Sequence, residues 1–440
     1  MRRLYTLLFY LALPAVLARM LWRSRKAPDY RRRWAERFGW FTALPQPGCI
    51  WVHAVSVGET RAALPLIQAL RESHRTIPIL VTTTTPTGSH QVRASLGQAV
   101  YHVYLPYDLP AAIRRFLHRT RPCLAVIMET ELWPNLLHGC AAAGIPLVIA
   151  NARLGERSTR RYAWAAVLTR DMLGCVTLIA AQTQADATRF RALGVAPERL
   201  QVIGNIKYDL SLPEGLEEQG RLLRRSLFGP RPVLIAASTH AGEDEQVLNA
   251  CAILRKRWPS LLLILVPRHP ERFDAVADLC KQRGWRVVKR SEQRPCTPNT
   301  DAFLGDSMGE LLLFYAAADV AFVGGSLVPT GGHNILEPAL LAMPVIFGPH
   351  MFNFAEASQH LLTARAAWQV ADAQELARVA GQLLDDPTLR RAAGQRGKAA
   401  VEANRGALEK LFEAIQTILE TTAVPRLPSP QPPLRGVKRL

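Results

Sequence analysis

The chain has 440 residues, of which 49% are hydrophobic and 20% charged, which excludes both a polytopic membrane protein and a disordered chain. This length exceeds one ordinary hydrophobic core and predicts two domains. The 54 lysines and arginines outnumber the 36 acidic residues, and the formal net charge of +18 indicates an anionic partner. Nucleic acid, acidic lipid headgroups and a phosphorylated substrate all fit that description.

The first 40 residues combine the most basic and the most apolar segments of the chain. They contain ten basic side chains against Asp29 and Glu36, and the stretch from Leu4 to Ala18 carries no charge. The tryptophans among these arginines suit a lipid–water interface: Trp22, Trp34 and Trp40. We predict a retained membrane anchor over residues 1–40, because no small-residue cleavage site follows. A cleaved signal peptide and a core helix are the alternatives.

Beyond residue 48, short apolar runs alternate with amphipathic stretches such as Thr60–Leu70 and Leu109–Leu117. This alternation predicts a parallel sheet with helices on both faces. The predicted strands of this half are Ile50–Val55, Ile79–Thr83, Val100–Tyr104, Leu124–Met128, Leu147–Ala150, Thr177–Ala180 and Gln201–Ile203.

A polar connection at residues 211–228 separates this half from a second alternating series. Its predicted strands are Val233–Ala237, Leu261–Val266, Arg286–Val288, Ala302–Leu304, Val320–Val323 and Val345–Phe347. We therefore predict Rossmann-like domains at 41–210 and 229–422, facing a ligand cleft. Helices from about Asp385 to Leu419 close the second domain, and a proline-rich, disordered tail occupies 423–440.

The cysteines and histidines show no spacing that is typical of a metal site. The seven cysteines are scattered without a C-x-x-C pair, and the eleven histidines show no H-x-x-x-H or H-x-x-E-H spacing. We expect free, mostly buried thiols in a reducing compartment. Neither G-x-G-x-x-G nor G-x-x-x-x-G-K-[ST] occurs, which weighs against dinucleotide oxidoreductases and P-loop enzymes.

Glu59 is the first candidate for chemistry. It follows the first predicted strand and Gly58, and it opens the helix through Leu70. A carboxylate there would face the cleft, although dipole stabilisation of the helix explains it equally simply. The helix N-terminus is expected to lower the pKa of this carboxyl group and to keep it ionised at neutral pH.

Two further polar clusters end strands of the first half. Glu129 and Glu131 follow the strand Leu124–Met128, and alternation would place both on one side if that strand continued. The competing interpretation is N-capping of a helix at Asn135. Lys207 follows the last strand and offers a cation near the domain junction, although a lone lysine is usually just solvated.

The second half offers groups suited to a phosphate. Arg268 can bind phosphate in a bidentate manner after the strand Leu261–Val266, and His269 adds a donor. A second cluster of this half, 306–310, follows Ala302–Leu304. In the glycine-rich segment 324–338 the backbone lets a ligand approach, and Asn334 opens a helix whose free N–H groups favour a phosphate. Glu337, one turn later, could accept hydrogen bonds from sugar hydroxyls.

These clusters and their surroundings occur in one order over nearly all of residues 1–420. In these stretches the chain resembles the bacterial Kdo (3-deoxy-D-manno-oct-2-ulosonic acid) transferases of lipopolysaccharide assembly. The matching stretches are HAVSVGET, TTTTPTGS, YLPYDLP, METELWPN, IPLVIANARL, GNIKYD, ILVPRHPERF, GDSMGEL, AFVGGSLVPTGGHNILEPA and GPHMFNF.

The resemblance implies a metal-independent, inverting glycosyltransferase with two tandem Rossmann-like domains (GT-B architecture). It implies CMP-Kdo as donor, no cofactor, and the lipid A precursor, a bisphosphorylated acylated disaccharide, as acceptor. By this resemblance Glu59 is the general base, and Glu129 and Lys207 stabilise the transition state. The residues implied in CMP binding are Pro267, Arg268, His269, Met308, Gly309, Glu310, Asn334, Ile335, Leu336 and Glu337.

The basic anchor and the implied acceptor agree with each other. An interfacial segment rich in arginine suits a phosphorylated lipid in the cytoplasmic leaflet, so we expect the protein on the cytoplasmic face of the bacterial inner membrane. Two other classes stay open at this point. A nucleic-acid-binding protein would explain the charge, but aromatic residues are few and no recognition motif occurs, so we expect no nucleic-acid partner. A transferase or epimerase acting on a uracil-linked sugar would share the fold.

Overall fold

The computed structural model describes residues 1–25 and 28–421, and the chain divides into two α/β units. Unit 1 contains Met1–Asp209 together with the C-terminal segment that begins at Arg405, and unit 2 contains Leu210–Asn404. The predicted disordered tail, residues 423–440, lies outside the described residues.

Unit 1 is built on a parallel seven-stranded sheet in the order β3-β2-β1-β4-β5-β6-β7. Its strands are β1 (Cys49–His53), β2 (Ile79–Thr83), β3 (Tyr101–Tyr104), β4 (Pro122–Met128), β5 (Leu147–Ala152), β6 (Leu178–Ala181) and β7 (Leu200–Val202). The helices up to Asp209 are α1 (Arg2–Arg23), α2 (Val57–Ser73), α3 (Pro86–Leu96), α4 (Pro110–Thr120), α5 (Pro134–Ala142), α6 (Glu156–Trp164), α7 (Ala166–Leu173) and α8 (Gln184–Ala192).

The residues of β1 from Cys49 to Val52 are all apolar because both faces of this strand are buried. Successive side chains point to opposite faces of a sheet. Ile50 and Val52 lie in one core cluster with Leu66 of α2, whereas Trp51 lies in a second cluster with Phe116 of α4. Both faces of the sheet are covered by helices, as the sequence predicted.

Unit 2 repeats this plan with a second parallel sheet of seven strands, in the order β10-β11-β9-β8-β12-β13-β14. The strands are β8 (Val233–Thr239), β9 (Leu262–Pro267), β10 (Val287–Lys289), β11 (Ala302–Leu304), β12 (Val320–Val323), β13 (Val345–Phe347) and β14 (Ala367–Gln369). The helices are α9 (Leu216–Leu223), α10 (Asp244–Arg255), α11 (Phe273–Gln282), α12 (Leu311–Ala316), α13 (Leu336–Leu340), α14 (Ala355–Thr363), α15 (Ala373–Asp385) and α16 (Pro387–Glu402).

The two doubly wound α/β domains are confirmed, and each predicted strand corresponds to an observed one. Strand β14 was not predicted, because the run Ala367–Gln369 is three residues long and holds one large apolar side chain, Trp368. The predicted connection at 211–228 also folds. It contains α9 and a π-helical turn, Arg224–Phe228, and the Arg224 guanidinium lies 2.8 Å from the Asp319 carboxylate.

The last helix, α17 (Ala407–Thr421), corrects the predicted domain boundary at residue 422. It returns to unit 1, where the apolar side chains of Leu411 and Ile415 are fully buried in the cluster that contains Ile50. The Asp209 carboxylate accepts hydrogen bonds from the backbone N–H groups of Gly406 (2.6 Å) and Leu408 (2.7 Å). The apolar face of α17 is therefore satisfied by the first sheet, not by the second.

The N-terminal apolar run forms one helix, α1, in which no residue is buried. The alternative of a core helix is therefore wrong. Within residues 1–25 and 28–421, α1 is the one helix that is long and apolar enough to cross a membrane, judged by length and composition alone. A membrane anchor and a signal sequence both meet this criterion.

The seven cysteines are free, as expected from their spacing. Cys49, Cys140, Cys251 and Cys280 are buried, and the others are half-buried. Burial raises the pKa of the Cys49 thiol to about 12, because it disfavours the thiolate. These cysteines therefore behave as small apolar side chains in the core.

Candidate functional site

Two polar clusters lie at the carboxyl ends of parallel strands, one in each unit. In unit 1, β1 pairs with β2 on one side and with β4 on the other, with His53 opposite Ile127 at the end of the register. Strand order reverses between β1 and β4, and such a reversal leaves an open crevice beyond the strand ends in doubly wound sheets. The segments that leave these two strands carry Glu59 and Glu129.

Glu59 is held by reciprocal hydrogen bonds at the start of α2. Ser56 is the N-cap, and its hydroxyl accepts from the Glu59 backbone N–H at 3.3 Å. The Glu59 carboxylate accepts in return from the Ser56 hydroxyl (2.9 Å) and from the Val55 backbone N–H (2.8 Å). This arrangement resembles a capping box. It fixes the half-buried carboxyl group on the first turn of the helix, and Gly58 beside it is exposed.

The pKa of Glu59 is raised to about 7, contrary to the expected lowering by the helix N-terminus. Burial is the largest cause, because it disfavours the ionised form. The negative charges of Glu129 and Glu131 raise the pKa further, while the hydrogen bonds from Val55 and Ser56 lower it. A carboxyl group with this pKa is poised to accept a proton near neutral pH.

Glu129 forms an ion pair with Lys207, and the Nζ–Oε1 distance is 3.2 Å. The strand does not continue, because β4 ends at Met128 and Glu129 has a φ of +57°, so the condition for placing Glu129 and Glu131 on one side is not met. A left-handed conformation is rare for residues other than glycine and is strained. A hydrogen bond from the Glu129 N–H to the Ala150 carbonyl (2.8 Å) holds it in place.

Glu131 lies beside this pair, and its carboxylate accepts from the Trp133 indole N–H at 2.9 Å. Burial raises its pKa. The competing interpretation, N-capping of a helix at Asn135, is wrong for these two glutamates: the Asp108 carboxylate accepts from the N–H groups of Asn135 (3.0 Å) and Leu136 (2.7 Å). The side chains of Glu129 and Glu131 are therefore not required to start α5.

Sequence reasoning missed the polar side chains that position the segment of Lys207. The amide oxygen of Asn151 accepts from the Ile206 N–H at 3.1 Å, and that of Gln182 accepts from the Asn205 side chain at 3.1 Å. Gln182 also donates to the Asn151 carbonyl at 2.9 Å. The available signal was a polar residue at the end of two consecutive apolar strands, Asn151 in β5 and Gln182 after β6.

The cluster of unit 2 lies where strand order reverses between β8 and β12. Pro267 ends the neighbouring strand β9, so half-buried Arg268 and exposed His269 leave the sheet beside β8. Sequence reasoning missed His240, which follows β8 directly. Its ring stacks on that of His333, with Nε2 atoms 2.8 Å apart, and lies edge-on to His269 with centroids 5.3 Å apart.

The glycine-rich segment adopts the backbone that its sequence predicted, but several of its N–H groups already have a partner. Gly325, Gly331 and Gly332 have φ values of +68°, +103° and +75°. The fully buried Glu243 carboxylate accepts from four backbone N–H groups at 2.7–2.9 Å, those of His240, Gly325, Ser326 and Leu327. The Glu243 carboxylate thus occupies backbone donors that an anionic ligand could otherwise use.

The helix expected at Asn334 begins later and is short. The Asn334 amide oxygen accepts from the Leu336 N–H at 3.1 Å, and its NH₂ donates to Glu337 at 3.0 Å. One of the N–H groups that were expected to be free for a phosphate, that of Leu336, therefore already has a hydrogen-bond acceptor within the chain. The side chains of Ile335 and Leu336 are fully buried, so any contact of these two residues with a nucleotide would use their backbone.

The predicted segment 306–310 of unit 2 follows β11. Met308 is 62% exposed, and Gly309 has a φ of +87°, with no described atom within 4 Å of a Cβ added there. The Glu310 carboxylate forms an ion pair with Arg290 at 2.8 Å and accepts from the Ser307 hydroxyl at 2.5 Å. The hydrogen bonds from Arg290 lower the pKa of Glu310. In the part of the chain that the structure describes, no three His, Cys, Asp or Glu residues are grouped to hold a metal ion.

The chain is similar in sequence to proteins of one named activity. The family model for 3-deoxy-D-manno-octulosonic-acid transferase (kdotransferase) matches residues 32–210. The 3-deoxy-D-manno-octulosonic acid transferase of Haemophilus influenzae is 44% identical over 422 residues, covering 95% of this chain and 99% of that protein. The transferase of the same name from Bordetella pertussis is 38% identical over 428 residues, covering 94% and 99%.

Solved structures support the architecture. The UDP-GlcNAc 2-epimerase of Neisseria meningitidis, bound to UDP-GlcNAc, has a TM-score of 0.54 and 13% identity, covering 84% of this chain and 99% of that chain. The complex of Staphylococcus aureus MnaA with UDP has a TM-score of 0.54 and 15% identity, covering 85% and 97%. At such low identity the likeness shows the fold alone, which is the GT-B type with two Rossmann-like domains.

Replacement of Glu243 tests whether its carboxylate holds the glycine-rich loop. In Glu243→Gln a single amide oxygen replaces two charged oxygens, and the NH₂ group faces N–H donors. We expect the free energy of unfolding of unit 2, measured in urea, to fall by about 2–4 kcal/mol. Proteolysis within residues 325–332 should become faster. The matched control is Glu217→Gln, on the exposed first turn of α9. Equal stability of both variants would show that the carboxylate does not hold the loop.

Proposed function

The chain belongs to the 3-deoxy-D-manno-octulosonic acid (Kdo) transferase family, and on this basis we propose that it transfers Kdo from CMP-Kdo to the lipid A precursor of lipopolysaccharide. As a family member it is a glycosyltransferase. The observation that carries the proposed mechanism is the Glu59 carboxyl group, held at the start of α2 with a pKa of about 7.

The proposed reaction inverts the anomeric carbon of Kdo. The acceptor hydroxyl oxygen forms a bond to that carbon as the bond to the CMP phosphate oxygen breaks, and the electron pair leaves with CMP. Glu59 accepts the hydroxyl proton. A general base is most effective when its pKa lies near the working pH, because it is then both ionised and basic enough. The raised pKa of Glu59 meets this condition.

Glu129 and Lys207 serve as charged neighbours of this base in the proposal. The Glu129 charge raises the pKa of Glu59, and the Lys207 ammonium, 3.2 Å from the Glu129 carboxylate, balances that charge. As positive charge develops on the sugar in an oxocarbenium-like transition state, fixed carboxylates stabilise it. The strained backbone at Glu129 is consistent with a position kept for function.

Unit 2 binds the donor in this proposal. Arg268 binds the phosphate of CMP, with His269 as a further donor, and the proposal requires no metal or cofactor. The segments Met308–Gly309–Glu310 and 334–337 complete the nucleotide site, with Ile335 and Leu336 acting through their backbone. The missed residue His240 belongs to the same group, because its ring contacts both His269 and His333.

The location that we propose is the cytoplasmic face of the bacterial inner membrane. It follows from the apolar helix α1, the arginines that flank it, and an acceptor with phosphates and acyl chains. The anionic partners proposed for the net charge of +18 are this lipid and its membrane; nucleic acid is not among them.

Glu59→Gln is the variant that tests the base. The glutamine keeps the volume and an oxygen for the Val55 N–H, but it cannot accept the proton. We expect kcat to fall by about 10²–10⁴ while the Kd for CMP, measured by calorimetry, is unchanged. Glu72→Gln, at the exposed end of the same helix, is the control. If Glu59→Gln kept more than roughly a tenth of the wild-type turnover, well short of this loss, the base would have to be Glu129 or Glu131.

The pH profile tests the same residue independently. Because the base acts only when ionised, we expect kcat/KM to rise with pH and to level off above about 7. Glu129→Gln removes the neighbouring negative charge and should lower the pKa of Glu59. The rising part of the pH profile, its acid limb, should then move to lower pH, whatever happens to the maximal rate. In Glu72→Gln the limb should stay in place. An unmoved limb in Glu129→Gln would mean that another group controls it.

Arg268→Ala tests the donor site. Charge-assisted hydrogen bonds contribute about 1.5–3 kcal/mol each, so we expect CMP to bind roughly ten- to a hundredfold more weakly. Arg225→Ala, at an exposed arginine of the same unit, changes the net charge equally and is the control. An unchanged Kd in Arg268→Ala would place the phosphate elsewhere. Stronger competition by UMP than by CMP for the wild-type protein would favour a uracil-linked donor instead.

A further inference from the structure

Helix α1 packs one face against the remainder of unit 1. Its half-buried residues recur at every third or fourth position and therefore lie on one face, since an α-helix has 3.6 residues per turn. They are Tyr5, Thr6, Phe9, Leu13, Val16, Leu17 and Met20, and buried Ser24 follows them. One side of the helix is thus partly covered by protein.

Polar contacts fasten both ends of α1 to unit 1. Near its start, the Thr6 hydroxyl donates to the Asn135 side-chain oxygen at 3.1 Å, and burial together with the Asp108 charge raises the pKa of the Tyr5 hydroxyl. Near its end, the Tyr107 hydroxyl lies 2.7 Å from the Met20 sulfur. A helix that crosses a bilayer has its two ends about 30 Å apart, on opposite sides of the hydrocarbon core. It could not make both sets of contacts with one globular unit.

The opposite face of α1 is apolar and exposed. Leu4, Leu7, Leu8 and Leu11 are 51–69% exposed and follow the i, i+3, i+4, i+7 spacing of one helical face. Arginines stand at both ends of the helix, and α1 contains no acidic residue. Trp22 and Trp40 are more than half exposed. Leucines between arginines and tryptophans are typical of a helix that lies in the membrane interface.

The neighbourhood of the α1 N-terminus is also basic. A cavity of about 830 Å³ opens between the start of α1 and the helices α4 and α5. Its apolar lining comes from residues such as Ile113 and Leu117, and none of the described residues that line it is acidic. The basic lining residues are Arg2, Arg3, Arg114, His118, Arg121 and His138. This charge complements anionic lipid headgroups at the level of the helix.

We propose that α1 lies in the plane of the membrane and inserts its leucine face into one leaflet that carries anionic phospholipids. The helix does not cross the bilayer, and its N-terminus stays on the same side as both α/β units. The proposal does not depend on the reaction that the protein catalyses. In this arrangement α1 stays packed on unit 1 and forms the surface of that unit that contacts the lipid. It does not act as a flexible tether.

Topology mapping of the full chain tests this placement. Epitope tags at the N- and C-termini are probed with protease in spheroplasts and in inside-out inner-membrane vesicles. We expect both tags to be protected in spheroplasts and both to be cleaved in the vesicles. Cleavage of the N-terminal tag alone in spheroplasts would show a spanning helix and overturn the proposal. Loss of the N-terminal tag from the mature protein would show a cleaved signal and overturn it as well.

A matched pair of variants tests the leucine face. Leu7→Asp/Leu11→Asp should lower the partition coefficient onto vesicles of phosphatidylethanolamine and phosphatidylglycerol by roughly tenfold or more. Leu222→Asp, at an exposed leucine of unit 2, should leave it unchanged. Circular dichroism and the melting temperature confirm that the variants fold. Equal membrane binding by all three proteins would contradict insertion of this face.

Discussion

The parallel pairing of β1 with β4 in unit 1, and of β8 with β12 in unit 2, is the constraint on which both polar clusters depend. Parallel strands present their carboxyl ends at one edge, and a reversal of strand order opens a crevice there. Glu59 and Glu129 are 70 positions apart in the chain, yet the Glu129 charge raises the pKa of Glu59 because their strands are neighbours. A sheet in which β1 and β4 were not neighbours would separate them.

Opposing effects set the pKa of Glu59, and burial is the largest of them. A helix N-terminus favours a carboxylate by about 0.3–1 kcal/mol, which is less than one pKa unit at 1.36 kcal/mol per unit. Burial and the charges of Glu129 and Glu131 act in the opposite direction, and the pKa rises to about 7. The capping hydrogen bonds therefore serve mainly to orient the carboxyl group, while its surroundings determine when it carries a proton.

The architecture could be predicted from the sequence because it depends on local patterns. Continuous apolar runs reveal buried parallel strands, and the segments after them carry Glu59, Glu129 and Arg268. Features that depend on distant partners could not be predicted. Glu243 meets a loop some 80 residues away, Asp108 caps a helix 27 residues away, and α17 belongs to the first sheet. The raised pKa of Glu59 was missed for the same reason, since burial arises from residues far along the chain.

The return of α17 to unit 1 has a consequence for biosynthesis. Leu411 and Ile415 lie in the same core cluster as Ile50. The ribosome therefore synthesises one part of this core early and the other part late. Unit 2 is contiguous and can finish first, which inverts the usual order in which the N-terminal domain folds ahead of the next. Until release, the nascent first domain presents an uncovered apolar face beside α2, a natural target for a holding chaperone.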